Sequence, residues 1–260
     1  MGQTKLLITG SGGCLGSNLI RYILKNYSDY KIASIDYCTY PNVANTIYSN
    51  KGHSFHVGNV SDEHLIDVVF QIEKPDIVIH LLKTGLLEIH KVCLKHKARL
   101  FLVQQYEGLF VPENSVLVHA PEYFGPKQQK HNLVPQIIDG VLNNKPVPIE
   151  GMQIRDWLHV HDVCAAFIKI LKVGQDNDVY DITANNEITD LEMFQEICNI
   201  FGRGHELIQS KESVYRWPKL NLDNKKIKEL GWEPLFKFKS GLIHTVNWYQ
   251  NNQWFLRDKK

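Results

Sequence analysis

The sequence of 260 residues lacks several features that mark specialised classes of protein. It has almost no net charge, with 29 Lys and Arg against 28 Asp and Glu, and no basic run interleaved with aromatic residues. Nucleic acid is therefore not an expected partner. No apolar stretch approaches the roughly 18 residues that a membrane-spanning helix needs, so we expect no membrane partner either.

The sequence also lacks paired cysteines. Its five cysteines, at positions 14, 38, 93, 164 and 198, form no Cys-x-x-Cys motif. An odd number of dispersed cysteines favours reduced thiols in an intracellular protein and offers no zinc-binding pattern. Because the N-terminus has no signal-peptide pattern, we expect a cytoplasmic protein. Because the cysteines form no zinc-binding pattern, we expect no bound metal.

Short apolar runs alternate with amphipathic segments over the first part of the chain. Strands are predicted at 5–9, 31–36, 53–60, 75–82, 100–104 and 115–119, with helices at 17–27, 62–73 and 86–97. Ser61 is the expected N-cap of the second helix. This order predicts an α/β fold, a Rossmann-type doubly wound parallel sheet.

A glycine-rich turn follows the first predicted strand. The run TGSGGCLG, residues 9–16, fits the pattern GxxGxxG between a strand and a helix. Such glycines permit a tight turn, close approach of a pyrophosphate and close packing of helix on strand, while the helix N-terminus attracts phosphates. The cofactor-binding residues predicted in the turn are Gly10, Gly12, Gly13, Cys14, Leu15 and Gly16.

An acidic residue in the right place defines the expected dinucleotide. Asp36 ends the second strand 20 residues after Gly16, where a carboxylate accepts hydrogen bonds from the adenosine ribose and repels a 2′-phosphate. We therefore predict NAD rather than NADP; the alternative is an ordinary turn with an unrelated aspartate. Asn59 is expected either to bind the adenine edge or only to form a turn. Val60 and Leu81 complete the predicted cofactor site.

After residue 125 the pattern becomes a mixture of helices and short strands. Helices are predicted over 133–144, from about Asp162 and over 189–202, with strands near 147 and over 178–183. We predict an NAD-binding Rossmann domain over residues 1–125. Residues 126–260 are expected to form most of a smaller mixed α/β substrate lobe, interleaved with the first domain.

Sequence motifs from Lys5 to about Trp254 together resemble one family. They are TGxxGxxG at 9–16, SIDYC at 34–38, PDIVIHL at 75–81, YFGPKQ at 123–128, LVP at 133–135, IRDWLHVHD at 154–162, VYDIT at 179–183, LGWEP at 230–234 and TVNWY at 245–249. The chain resembles the extended short-chain dehydrogenase/reductase family, and within it the nucleotide-sugar 4,6-dehydratases of the dTDP-glucose type.

The resemblance implies both a reaction and a partner. In that family NAD accepts a hydride from C4 of a nucleotide-diphosphate sugar, water leaves across C5–C6, and the hydride returns to C6. Arg155 of the RDWL run is then the expected ligand of the diphosphate, because a guanidinium forks onto phosphate oxygens. The alternative for Arg155 is a structural ion pair with Asp156 or Asp162.

Three further residues are candidates for the substrate site. Arg216 or Lys219, just before the LNLD run, is expected to supply a second positive charge, and Gln128 is a polar candidate after the YFGP turn. The sequence does not specify which sugar or which nucleotide base the substrate carries, because Glu122 stands where the family has Asn and His119 stands where it has Arg.

The catalytic part of the family pattern is replaced in this sequence. Where the family has a Ser/Thr-Asp-Glu run, the chain has Gln105, Tyr106 and Glu107, so that only the glutamate matches. The family's helical Tyr-x-x-x-Lys pair is absent from residues 106–114, which are too few for that helix. The literal match from Tyr123 to Lys127 is rejected, because a glycine and a proline between them break a helix.

Two consequences follow from the missing helix. Catalysis would then depend on a rebuilt site, in which Glu107 removes the C5 proton and Tyr106 acts as acid or base beside the cation of Lys83. The alternative is that Tyr106 and Glu107 are ordinary loop residues. The sheet would also lose a covering helix, and an exposed apolar patch there would invite a partner, a second copy of the chain being one option.

Two functions fit these residues best; a related reductase or epimerase is a third option, but those enzymes also normally use the Tyr-x-x-x-Lys pair. The first is an NAD-dependent nucleotide-sugar 4,6-dehydratase, with or without 5-epimerisation, that uses an atypical active site. The alternative is a catalytically inactive protein that binds NAD and a nucleotide sugar and regulates a partner.

Overall fold

The computed structural model describes residues 2–37, 45–49, 52–104, 112–150, 153–211 and 222–257. Its strands are β1 Thr4–Thr9, β2 Tyr30–Asp36, β3 His53–Val57, β4 Ile77–His80, β5 Arg99–Gln104, β6 Ser115–His119, β7 Glu122–Phe124, β8 Val147–Ile149, β9 Ile154–His159, β10 Val179–Asp181, β11 Glu187–Thr189 and β12 Ile208–Ser210. Its α-helices are α1 Cys14–Asn26, α2 Glu63–Glu73, α3 Leu86–His96, α4 Leu133–Asn143, α5 Val160–Val173, α6 Asp190–Phe201, α7 Lys225–Glu229 and α8 Phe238–Asn251.

A parallel sheet of seven strands forms the centre of the fold. Its order is β10-β6-β5-β4-β1-β2-β3, and every neighbouring pair is parallel. Strand order reverses on the two sides of β1, which creates a crevice at the carboxyl ends of β1 and β4. This topology confirms the predicted doubly wound α/β fold.

Helices cover both faces of this sheet. One apolar cluster joins β1, β5 and β6 to α1 and α5, with Ile20 and Phe167 among its fully buried members. A second cluster joins the opposite face to α2 and α3 through Phe70 and Ile89. Because both faces are buried, the strands read as continuous apolar runs rather than alternating ones.

The C-terminal half contributes two smaller sheets and one strand of the large sheet. The smaller sheets have the orders β11-β9-β7 and β12-β8, and a separate apolar cluster packs α4, α6 and α8 together through Ile138, Phe194 and Val246. Strand β10 instead joins the edge of the seven-stranded sheet beside β6. The predicted division at residue 125 remains a prediction.

The expected apolar patch over β5 and β6 is not exposed on these strands. Leu100, Leu102 and Leu117 are only 1%, 2% and 3% exposed. They pack in one cluster with Ile89 and Val92 of α3, so this helix extends its apolar face across β5 toward β6. The prediction of an exposed patch on these strands was therefore wrong, and a homo-oligomer remains a prediction.

The N-cap of α2 is Asp62 and not Ser61 as predicted. Asp62 has an extended backbone and its Oδ1 accepts a hydrogen bond from the N–H of Leu65 at 3.0 Å. Ser61 precedes the cap, and its N–H donates to the side chain of Asn59. An aspartate at this position also interacts favourably with the positive end of the helix dipole.

Replacing Asp62 with alanine should lower the free energy of unfolding by about 1 kcal/mol, because a helix N–H loses its acceptor. Ser61→Ala is the matched control and should change stability by less than about half of that value. Urea denaturation of both variants tests the assignment. Equal losses for the two variants would contradict it.

Three histidines meet where β9, α5 and α8 come together. His159 caps α5 by accepting from the N–H of His161, and its Nε2 lies 3.3 Å from Nδ1 of His244. The His159 ring stacks on Phe236 with centroids 4.1 Å apart. Burial, reinforced by the two neighbouring imidazoles, lowers the pKa of His159 to about 3.

Acidification should therefore destabilise the protein through His159. Its pKa in the fold lies below the ordinary value of 6.5, so the stabilising neutral form is complete above that pH and is lost as the pH falls toward about 3. One such proton contributes a slope of up to about 1.4 kcal/mol per pH unit to the free energy of unfolding.

We expect His159→Asn, which retains a capping side chain, to flatten this slope in denaturation curves recorded between pH 7 and pH 4 (roughly the affected window). His205→Asn, at an exposed position, should leave it unchanged, and an unaltered slope in the His159 variant would contradict the assignment.

None of the helices within the described ranges has the length and apolar character needed to cross a membrane. In the same part of the chain, no group of three or more His, Cys, Asp or Glu residues is arranged to hold a metal ion. Four of the cysteines lie in the described residues as buried free thiols: Cys14, Cys93, Cys164 and Cys198.

Candidate functional site

The glycine-rich turn connects β1 to α1 with little free space. Gly10 has a left-handed φ of 71°, which a side chain would disfavour, and its N–H donates to the carbonyl of Ile35. The Gly13 N–H donates in turn to the Gly10 carbonyl at 3.1 Å. A Cβ atom on Gly16 would lie 2.3 Å from that same carbonyl oxygen. The turn therefore requires glycine at both ends.

Asp36 holds the turn in place from the end of β2. Its Oδ2 accepts a hydrogen bond from the N–H of Gly12 at 2.9 Å, and the residue is only 4% exposed. Helix α1 begins at Cys14, and its N-cap residue, Gly13, has no side chain that could cap the helix. A helix N-terminus without a side-chain cap offers N–H groups and positive dipole charge to an anion.

A cavity of about 330 Å³ opens beside this turn, at the carboxyl ends of the central strands. It is within the size range of ligand sites. Of the predicted residues, it is lined by Gly10, Gly13, Cys14, Leu15, Gly16, Asp36, Leu81 and Lys83. We refer to it below as the glycine-turn cavity.

Other predicted residues lie outside the lining of this cavity. Gly12 contributes through its bond to Asp36 rather than as a lining residue. Asn59 uses its Oδ1 to accept from the N–H of Ser61 and so forms a turn, while Val60 is buried against Gly85. Their roles in cofactor binding remain predictions. Tyr106, Glu107, Arg216 and Lys219 lie outside the described residues.

Cys14 and Asn18 connect the turn to the segment after β7. The Asn18 amide donates to the carbonyl of Pro126 at 3.0 Å, and the Cys14 thiol contacts the same carbonyl at 3.6 Å. Burial raises the pKa of Cys14 to about 12, so the thiol is neutral and does not repel an anion at the helix N-terminus. Cys14 thus lines the cavity as an uncharged residue.

Three polar lining residues of the glycine-turn cavity were not among the predicted site residues. They are His80, Gln104 and Tyr123, from the ends of β4 and β5 and from β7. His80 is hydrogen-bonded to the hydroxyl of Thr9 at 2.8 Å, and burial lowers its pKa to about 4. The positions of His80 and Gln104 at the ends of parallel strands were a usable signal, because ligands of such sheets bind there.

A second cavity, of about 460 Å³, lies on the other side of β7. Two of the predicted substrate-binding residues, Gln128 and Arg155, line it. Its remaining lining residues are Glu122, His131, Asn132, Leu133, Gln136, Pro148, Glu150, Trp157, Asp190 and Lys211. We refer to it as the Arg155 cavity.

Arg155 forms ion pairs other than the ones considered from the sequence. Its Nε and Nη2 donate to the two carboxylate oxygens of Asp190 at 2.8 and 3.1 Å, and its Nη1 contacts Glu122 at 3.4 Å. Asp156 instead accepts from Thr183 and the N–H of Asn186. The pairing arises because β11 runs antiparallel to β9 and places the start of α6 beside Arg155.

Asp162, the other partner considered for Arg155, serves a different segment. Its two carboxylate oxygens accept from the N–H groups of Leu235 and Phe236. It therefore fastens the segment before α8 to the first turn of α5. A pair with Arg155, as weighed from the sequence, is not formed.

Strand β7 separates the two cavities. Successive side chains of a strand point to opposite sides: Tyr123 lines the glycine-turn cavity and Glu122 lines the Arg155 cavity. Glu122 lies beside Trp157 in the register of β7 with β9. Residues two apart on a strand share a face, which places Glu122 on the side of Arg155.

The literal Tyr-x-x-x-Lys match is not helical, as the sequence indicated. Tyr123 lies in a strand, and Lys127 has a left-handed φ of 69° with its Nζ 5.3 Å from the ring centre of Trp248. Burial raises the pKa of Tyr123 above its ordinary value. A tyrosine general base needs its pKa lowered, so this residue does not replace the family's dyad.

Comparison with known proteins identifies related sequences and folds. A model of the NAD dependent epimerase/dehydratase family matches residues 6–90 and 102–183. The dTDP-glucose 4,6-dehydratase of Neisseria gonorrhoeae is 26% identical over 97% of this chain and 97% of its own length. That alignment spans 342 positions, more than the chain contains, so the relative has segments that are missing here.

Solved structures share the fold over nearly the whole chain. The dTDP-glucose 4,6-dehydratase of Bacillus anthracis, crystallised in complex with NAD, superposes with a TM-score of 0.87 at 24% identity, covering 97% of this chain and 98% of its own. A UDP-glucose 4-epimerase of Thermotoga maritima with UDP-glucose gives a TM-score of 0.83 at 20% identity, over 96% of this chain and 100% of its own. The likeness to these structures establishes the fold.

Proposed function

Since the chain belongs to the NAD dependent epimerase/dehydratase family, we propose that it is an NAD-dependent nucleotide-sugar 4,6-dehydratase with an atypical active site. Its substrate is a dTDP- or UDP-hexose and its product the 4-keto-6-deoxy sugar. Two curated relatives that match along nearly their whole length are dTDP-glucose 4,6-dehydratases, which favours this activity over that of the 4-epimerases.

The observation that carries the proposal is the placement of two unlike cavities on either side of β7. One contains the glycine turn and Asp36, and the other contains Arg155 and polar side chains. A nucleotide sugar anchored by its diphosphate in the Arg155 cavity can extend its hexose past the end of β7 toward the glycine turn. This arrangement suits a redox cofactor and a diphosphate substrate that react with each other.

The residues of the glycine-turn cavity fit NAD. Added Cβ atoms on Gly10 and Gly16 would approach protein atoms to 3.0 and 2.3 Å, so these glycines keep the turn tight. Gly13, between them, would let a pyrophosphate come close to the backbone. The uncapped N-terminus of α1 would hold the phosphates, and the buried Asp36 carboxylate would hold the ribose. When bound, NAD supplies a hydride acceptor and, after loss of water, the hydride donor.

The residues of this chain would move the protons. We assign to the Glu107 carboxylate the removal of the C5 proton and its transfer to the departing C6 hydroxyl, which leaves as water. To the Tyr106 hydroxyl we assign the exchange of a proton with the C4 oxygen. Lys83, which lines the glycine-turn cavity, would stabilise the phenolate of Tyr106 through its ammonium charge. This set replaces the Tyr-x-x-x-Lys helix of the family.

Arg155 would anchor the substrate by its diphosphate. Its guanidinium lies in a cavity with Gln128 and Lys211, which offer further hydrogen-bond donors. Anchoring at the non-reacting end of a substrate fixes the sugar relative to the proton-transfer groups. Arg216 and Lys219 are proposed to add positive charge at this end.

Turnover of three nucleotide sugars tests the proposed function. Purified protein is incubated with NAD and, in separate tubes, with dTDP-glucose, UDP-glucose and UDP-N-acetylglucosamine. We expect one of them to give a 4-keto product, detected by its alkaline absorbance and by the mass loss of one water. Failure with all three, in protein that binds NAD, would refute the dehydratase and favour the inactive regulatory protein.

A further inference from the structure

Asp190 is the fixed partner of Arg155. Its carboxylate accepts hydrogen bonds from two of the guanidinium nitrogens, and its side chain is only 3% exposed. It lies in the first turn of α6, where a capping box of Thr189 and Glu192 fixes the helix start and the helix dipole favours a negative charge. A ligand in the cavity therefore cannot readily take these two nitrogens from Asp190.

Glu122 is the weakly held partner. Its Oε1 lies 3.4 Å from Nη1 of Arg155, and a third of its side chain is exposed to the cavity that it lines. Nη1 is thus the part of the guanidinium that a diphosphate can reach. Glu122 contacts Nη1, and an anionic phosphate oxygen would compete with the carboxylate for the same donor.

The charges around the cavity also oppose an anion. Among the described lining residues, Glu122, Glu150 and Asp190 are acidic, whereas Arg155 and Lys211 are basic. Lys211 pairs with Glu150 at 3.2 Å and Arg155 pairs with the other two acids. The lining is left with one excess negative charge, which repels a diphosphate at these distances.

Burial also favours the protonated form of the Glu122 carboxyl. Partial burial, with the nearby Asp190 carboxylate, raises the pKa of Glu122 above its ordinary value, although Arg155 and Lys83 act in the opposite direction. A bound diphosphate would add negative charge beside the same carboxylate.

We propose that Glu122 competes with the substrate diphosphate for Nη1 of Arg155, so that a nucleotide sugar binds together with one proton taken up by the Glu122 carboxylate. The proton comes from the solvent and neutralises the carboxylate, which releases Nη1 and removes the excess negative charge. Glu122 thereby sets the affinity of the site and its dependence on pH. This inference rests on the proposed function, because it assumes a nucleotide-diphosphate sugar as ligand.

Binding without turnover provides the measurement. UDP-xylose and dTDP-xylose carry a diphosphate diester that does not titrate near neutral pH, and they lack the C6 carbon from which water is lost. Calorimetry of each ligand at several pH values, in buffers of different ionisation enthalpy, gives affinity and proton uptake. Wild type should bind more tightly as the pH falls and take up a proton.

Glu122→Gln separates the carboxylate from every other titrating group. We expect this variant to bind about tenfold more tightly than wild type in mildly alkaline buffer, because one like charge near the diphosphate is gone. Its proton uptake on binding should fall below that of wild type. Glu196→Gln, which removes the same charge from α6 outside the cavity where Glu196 pairs with Lys239, should stay within about twofold of wild type.

The outcomes distinguish this inference from the proposed function. If wild type binds either ligand while Glu122→Gln binds no more tightly and takes up as many protons, the inference is refuted and the diphosphate site stands. If neither protein binds either ligand at any pH, both the inference and the proposed function are refuted. Thermal melting of the two variants verifies that each is folded.

Discussion

Replacing Gly16 with alanine should reduce the affinity for NAD by about a hundredfold and lower stability by about 2 kcal/mol. The added Cβ would lie 2.3 Å from the Gly10 carbonyl oxygen and 2.9 Å from Cα of Ser11, and both are backbone atoms that cannot rotate away. Relief requires the whole turn to move, which breaks the bond from the Gly13 N–H to the Gly10 carbonyl. Calorimetric NAD titration and thermal melting measure the two effects.

Gly13→Ala is a milder substitution in the same turn. Its Cβ would meet the Gly10 carbonyl at 3.3 Å, a contact that a shift of a few tenths of an ångström relieves. We expect a stability loss below about 1 kcal/mol, together with a clear loss of NAD affinity because a side chain then faces the pyrophosphate. If Gly16→Ala binds NAD as wild type does, the glycine turn is not the cofactor site.

Replacing Arg155 with methionine should lower the free energy of unfolding by about 3 kcal/mol, because Asp190 keeps a buried charge without its partner. The Asp190 side chain is only 3% exposed and takes two hydrogen bonds from the guanidinium. The same variant should lose binding of nucleotide sugars. Chemical denaturation gives the first effect and calorimetry the second.

Two further variants make this prediction specific. Lys211→Met removes a cation of the same cavity that is 60% exposed and pairs with Glu150, so its cost should stay below about 1 kcal/mol. The double variant Arg155→Met with Asp190→Asn should regain most of the lost stability without regaining ligand binding. An Arg155 variant no less stable than the Lys211 variant would contradict the assignment.

The fold could be predicted because its determinants are local in sequence. Apolar runs bounded by turn residues predicted the strands of the central sheet, and the glycine pattern located the first turn. The error at the start of α2 was also local: Ser61 and Asp62 are both good capping residues, and the choice between them depends on backbone geometry that composition does not reveal.

The charges of the Arg155 cavity could not be predicted, because they come from distant segments. Arg155 and Asp190 are 35 residues apart and meet only because β11 returns antiparallel to β9. Glu122 joins them through the pairing of β7 with β9. Sequence proximity suggested Asp156 and Asp162, which the fold uses elsewhere. The roles of Tyr106 and Glu107 rest on the sequence alone.

The most direct test of the 4,6-dehydratase follows one hydrogen atom. A nucleotide sugar accepted in the turnover assay is prepared with deuterium at C4, incubated with the protein and NAD, and its product is examined by NMR and mass spectrometry. The proposed function predicts that the deuterium is retained and appears at C6 of a 4-keto-6-deoxy sugar. Deuterium found unmoved at C4 in unchanged sugar, or returned to C4 with inverted configuration, would contradict it.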